Sequence, residues 1–124
     1  MYFLKIKYSA EEQWSFLNIE INAIEETKSS FIFNYDDLET LPCYCRNEIV
    51  YKNDDDDVIS CGYNVLDHIY LSYDYYDETI SCSCFTFDIE KSKLKMINEI
   101  KELIKNKVNY YNNILESIEN EYKL

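Results

Sequence analysis

Three sets of side chains in this 124-residue chain have types and spacings that could do chemistry. The first is acidic and aromatic. It comprises the run Asp54, Asp55, Asp56, Asp57, the run Tyr73, Asp74, Tyr75, Tyr76, Asp77, Glu78, and the pair Asp36 and Asp37 behind Tyr35. Carboxylates spaced along a rigid sheet can imitate the phosphates of a duplex, which carry one negative charge per ~1.7 Å of axis. Tyrosines beside them can insert among the Arg and aromatic side chains of a nucleic-acid channel. The competing reading is a solvated surface that serves solubility alone. Four adjacent aspartates lack the alternating ligands, the glycine and the closing glutamate of a calcium loop, so no calcium site is expected there.

The second set is the five cysteines: Cys43 and Cys45 around Tyr44, Cys61, and Cys82 and Cys84 around Ser83. On a strand, one intervening residue puts both sulfurs on the same face. Two such strands side by side could offer four thiolates to zinc. Zinc knuckles use two intervening residues on a tight turn, however, and no glycine supports a turn here. Buried free thiols are the expectation, with no metal and no cofactor. An odd number also argues against a full disulfide framework.

The third set is His68 beside Asp67. A nucleophile, base and acid can meet in space without being near in sequence. Yet no nucleophile elbow, zinc-binding histidine pair or glycine-rich phosphate loop marks this chain. With only Gly62 available, a phosphate-cradling loop is hard to build. No catalytic residue is nominated, and His68 is expected to be structural or superficial.

Charge is distributed very unevenly. Residues 1–88 carry 18 Asp and Glu against 5 Lys and Arg, whereas residues 89–124 carry 6 against 7. The net charge of −12 therefore belongs to the first part of the chain. Such a surface repels nucleic acid and anionic membrane and attracts basic grooves. A hydrophobic content of 47% excludes a disordered acidic tail. Scarce Gly, Pro, Arg and Ala beside abundant Ile, Asn, Lys and Tyr indicate an AT-rich genome. The start of the chain has no apolar signal segment, and no stretch reaches the ~20 apolar residues of a spanning helix. A cytoplasmic location with reduced thiols is expected, in the host cytoplasm if the gene is phage-borne.

The elements that must position these groups follow from periodicity. Tyr2, Leu4, Ile6 and Tyr8 alternate with Phe3, Lys5 and Lys7, predicting a strand with one apolar face. Trp14 to Ala23 reads as a second strand, and Phe31 to Phe33 as a short third. Cys43 to Lys52, Val58 to Cys61, Ile69 to Tyr76 and Ile80 to Phe87 are also strand-like. The last two flank a turn and predict a hairpin. From Ile89 onward the apolar spacing changes to three and four. Leu94, Ile97, Ile100, Ile104, Val108, Tyr111, Leu115, Ile118 and Tyr122 form a helical stripe, with Asp88 as N-cap. One unbroken helix of ~33 residues would be about 50 Å long and would overhang a small sheet. Either it breaks near Asn106 to Asn113 or it packs against a second copy.

The resulting expectation is a single α+β domain over residues 1–124. An acidic, Tyr-rich antiparallel sheet of about five or six strands (1–88) precedes a long C-terminal amphipathic helix or helical hairpin (89–124). Functionally, the pattern points to a small non-enzymatic inhibitor carried by a phage or mobile element. In the manner of an anti-CRISPR protein, it would block the basic channel of a nuclease effector by nucleic-acid mimicry. An immunity protein that neutralises a cognate toxin is the first alternative, and a small structural or assembly subunit the second. The expected partner is a basic protein, without direct nucleic-acid or membrane binding. Homodimerisation through the C-terminal helix is the further expectation.

Overall fold

A computed structural model describes residues 1–34, 49–53, 59 and 62–123. Of the groups singled out above, Asp36, Asp37, Asp54, Asp55, Asp56, Asp57, Cys43, Cys45 and Cys61 lie outside the described residues.

The chain is α+β, with two four-stranded sheets and one long helix. The strands are β1 (Tyr2–Ser9), β2 (Gln13–Glu20), β3 (Glu25–Glu26), β4 (Ser30–Ile32), β5 (Ile49–Tyr51), β6 (Asn64–Val65), β7 (Tyr70–Asp74) and β8 (Thr79–Thr86), followed by α1 (Ile89–Tyr122). The first sheet has the order β2-β1-β8-β7 and is antiparallel throughout. The second has the order β3-β4-β5-β6, with β5 and β6 parallel. The expectation of one sheet of five or six strands is therefore corrected. Very short strands form a second sheet, and segments of two or three residues are too brief to show an alternation in sequence.

The two central strands explain why two layers can cover the first sheet. Leu4, Ile6, Ile80, Cys82 and Cys84 point to one face, where Met96 and Ile100 of α1 close over them. Phe3 and Phe85 point to the other face and pack with Ile21, Phe33 and Val50. The expected single apolar face of β1 is thus half of the picture, because Phe3 is fully buried on the opposite side. Five consecutive residues of β8, Cys82 to Thr86, are buried. A strand covered on both faces reads as an unbroken apolar run.

A polar network fixes the turn from β8 into α1. The Asp88 carboxylate accepts the Lys91 amide at 3.1 Å, giving the expected N-cap. The Ser92 hydroxyl donates to Thr86 Oγ1 at 2.7 Å, and the Thr86 hydroxyl donates to Asp67 Oδ1 at 2.8 Å. Thr86 and Ser92 are both buried. Thr86→Val keeps the shape but leaves the buried Ser92 hydroxyl and the Asp67 oxygen without their shared partner. Urea denaturation should show a loss of about 1–3 kcal/mol, the usual cost of orphaning buried polar groups. Unchanged stability would mean that water replaces the Thr86 hydroxyl.

The helix is continuous over 34 residues, so of the two alternatives the break between Asn106 and Asn113 does not occur. The sheet covers only part of the stripe, at Ile97 and Ile100. The buried helical residues are Ser92, Met96 and Ile100, whereas Leu94 is 61% exposed. From Val108 onward the stripe is exposed along its whole length.

Candidate functional site

The register of the first sheet brings its two hairpin tips to one end. Tyr8 lies opposite both Trp14 and Ile80, and Ile80 lies opposite Tyr73. The β1–β2 turn, with Glu11 and Glu12, therefore sits beside the β7–β8 turn, with Asp74, Asp77 and Glu78. All five side chains are exposed. Tyr75 and Tyr76 cap this rim, and Tyr76 is 96% exposed. Behind the carboxylates runs a cross-strand row of Trp14, Tyr8, Ile80 and Tyr73. The Tyr8 and Trp14 rings are 5.0 Å apart at their centroids.

Local chemistry shapes both turns. The Asp74 carboxylate accepts the Tyr76 amide at 3.0 Å, and the Asp77 carboxylate accepts the Thr79 amide at 3.1 Å. Short acidic side chains that bond to their own backbone two residues on build tight turns. Glu78 completes the turn with φ of 56°, and Gln13 closes the other turn with φ of 61°. In that left-handed region a side chain meets a steric penalty that glycine escapes, and this chain has almost no glycine to spend there.

The rim carboxylates act together on one phenol. Partial burial pushes the Tyr73 phenol above its ordinary value, and Glu78, Tyr111, Tyr75 and Asp74 push it the same way. The ion pairs Lys52–Glu26, at 2.7 Å, and Lys105–Glu102, at 3.6 Å, both involve other acids. Lys107 stands at the rim with its ammonium 3.8 Å from the Tyr73 ring centroid, a cation held by an aromatic face. Other acids have structural work elsewhere: Asp67 accepts from Thr86, and Asp88 caps α1.

The nominated group Tyr73 to Glu78 is thus brought together as one hairpin. Glu11, Glu12 and Trp14 join it, although sequence reading did not single them out. The signal available was the polar stretch Ser9 to Gln13 between two alternating segments. Read as a hairpin turn, it sets Glu11 and Glu12 beside the neighbouring tip.

The remaining chemical candidates separate in space. Cys82 and Cys84 share a face, as their spacing requires, but that face is the sealed interface with α1. Among the described residues, the neighbours of β8 on its two edges are β1 and β7. Among the described residues no group of three His, Cys, Asp or Glu side chains gathers to hold a metal. His68 packs edge-on against Tyr70, with ring centroids 4.7 Å apart. The Tyr70 hydroxyl ties the preceding segment together, donating to the Tyr63 carbonyl and accepting the Val65 amide. His68 thereby joins the packing of that loop. No helix among the described residues is long and apolar enough to cross a membrane.

No family model, curated protein or solved structure matches the chain. The functional reading therefore stands on the geometry of the rim and on charge.

Proposed function

We propose that the chain is a small protein-binding inhibitor whose acidic rim covers a cationic cleft on another protein. The class of target that suits it best is the basic nucleic-acid channel of a nuclease effector, as for an anti-CRISPR-like factor of a phage or mobile element. The observation that supports this reading is the convergence of Glu11, Glu12, Asp74, Asp77 and Glu78 on two adjacent hairpin tips, with Tyr75 and Tyr76 projecting among them. Charges held on a sheet are preorganised, so meeting a cationic groove costs little ordering entropy. Exposed tyrosines supply amphipathic contact area of the kind that anchors interfaces. Neutralisation of a toxin by the same surface is the related alternative. The assembly-subunit reading draws on a different observation, the long exposed end of α1.

The test exchanges the rim charges for amides: Glu11→Gln, Glu12→Gln, Asp74→Asn, Asp77→Asn and Glu78→Gln together. Asn keeps the oxygen that accepts the turn amides, so the hairpin is preserved while the charge is lost. Inhibition of DNA cleavage by a panel of guide-loaded nucleases is measured at low and high salt. The expected result is inhibition by the natural chain that weakens as salt rises, and an association rate about tenfold or more lower for the variant at low salt. Equal inhibition by both proteins would remove the rim as the binding surface. Failure of the natural chain to inhibit any member would turn the search to toxins.

A further inference from the structure

Beyond Lys107, which lies on the Tyr73 ring, none of the described residues covers α1. The sheet takes Ile89, Ser92, Met96, Ile97, Ile100 and Leu103, and from Val108 to Lys123 every residue is exposed. On this free half, Ile104, Val108, Tyr111, Leu115, Ile118 and Tyr122 recur at alternating steps of four and three. That is the heptad spacing of a coiled-coil seam, held without a slip to the end of the helix. It borders the sheet-facing side and continues past Ile97 and Ile100, which pack on the sheet. At 3.6 residues per turn the seam is centred roughly a sixth of a turn away from Met96 and Ile100, on the side of Ile97. Val108 is 51% exposed and Leu115 is 55% exposed, so the seam is bare.

We propose that this segment pairs with the same segment of a second copy as an antiparallel two-stranded coiled coil, with its twofold axis at Asn113. The reasoning is independent of the acidic rim. The seam is symmetric about that point. Ile104 meets the partner's Tyr122, Val108 meets the partner's Ile118, and Tyr111 meets the partner's Leu115. Ile114 flanks the seam and meets the partner's Ile114 at the axis.

Charge selects the orientation. The seam is flanked by Lys105 and Lys107 near its start and by Glu119 and Glu121 near its end. Antiparallel pairing sets Lys105 beside the partner's Glu119 and Lys107 beside the partner's Glu121, twice over by symmetry. Parallel pairing would stack lysines on lysines and glutamates on glutamates. Lys105 reaches Glu102 only at 3.6 Å on an exposed surface, and Lys107 lies on the Tyr73 ring, so both charges remain open to a second carboxylate. The length also fits. In this register the partner's helix ends near the level of Ile104, where the sheet begins to cover α1. The partner's Tyr122 then arrives at the mouth of an apolar groove between β2 and α1, lined by Trp14, Phe16, Ile97, Lys101 and Ile104.

Sedimentation equilibrium of the full chain tests the pairing, and charge exchange tests its direction. The natural chain is expected at twice its 14.9 kDa mass. Leu115→Lys, at an exposed position that packs on none of the described residues, should be monomeric with unchanged near-ultraviolet circular dichroism. The pair Lys105→Glu with Lys107→Glu, and the pair Glu119→Lys with Glu121→Lys, should each weaken dimerisation by about tenfold or more. Combining all four substitutions should restore it. A monomeric natural chain, or a trimer or larger species, would overturn the proposal. Dimers unaffected by either charge pair would overturn the antiparallel register, because parallel helices keep like charges together in every one of these variants.

Discussion

Phe85→Ala is expected to lower the unfolding free energy by about 3–5 kcal/mol, the usual cost of deleting a fully buried aromatic ring. Phe85 is 1% exposed and lies on the face of β8 turned towards Ile21, Phe33 and Val50. Its ring sits 5.1 Å from that of Phe3, tilted by 52°. Removing it takes away both the transfer of the ring from water and its contacts with the second layer, and the β-sheet backbone cannot collapse to fill the space. A domain of this size has about 5–15 kcal/mol of stability in total. The variant should therefore unfold at a much lower urea concentration, with a thermal midpoint lower by roughly 10–20 °C. Phe85→Leu, which keeps most of the volume, should lose less than half as much. A loss under about 1 kcal/mol for the alanine variant would mean that the ring is not enclosed between two layers.

The second large effect is alkaline instability caused by two thiols. Burial pushes Cys82 up to about 12 from an ordinary 9.0, with smaller contributions from Cys84 and Glu99. Burial also raises Cys84, to about 11; Asp67 adds to this, while the Ser92 hydroxyl and Lys95 oppose it. The native state thus holds both protons where the unfolded chain has released them. Below pH 9 the two states carry the same thiol protons, and stability does not depend on these groups. As pH rises from 9 towards 11–12, the unfolded chain binds fewer protons than the native one, so stability falls. At 1.36 kcal/mol per unit, the two shifts together amount to several kcal/mol, comparable with the whole stability of the domain. The measurement is urea unfolding across that pH range, for the natural chain and for Cys82→Ala with Cys84→Ala. The double variant starts less stable but should show a shallower alkaline slope. In a background with serine at positions 43, 45 and 61, the native protein should resist a thiol reagent at pH 8 and react once unfolded. Equal slopes, or rapid modification of the native state, would show that the β8–α1 interface is open.

What was legible in the sequence rests on elements with strong periodicity and local chemistry. Alternation in Tyr2 to Tyr8 specified β1, and the shift to steps of three and four specified α1. Asp88 marked its cap because a short carboxylate suits a free helix end. The spacing of Cys82 and Cys84 fixed their common face, since side chains on a strand repeat every two residues. The turn between β7 and β8 was also readable, because Asp74 and Asp77 bond to backbone within two residues of themselves.

Only the tertiary structure decided the rest, because it depended on contacts between segments far apart in the chain. Nothing near Phe3 says that a second sheet will cover it; that follows from Phe33 and Val50 arriving from elsewhere. No local property of Glu11 and Glu12 sets them beside Asp77; the pairing of β1 with β8 does. The helical stripe carried the right period, but period alone does not say which side of a helix a sheet will occupy. Met96 and Ile100 took that place because the chain enters α1 from β8 with Ser92 locked to Thr86, and this fixes the rotation of the helix over the sheet. The seam from Ile104 to Tyr122 was left on the flank, facing outward.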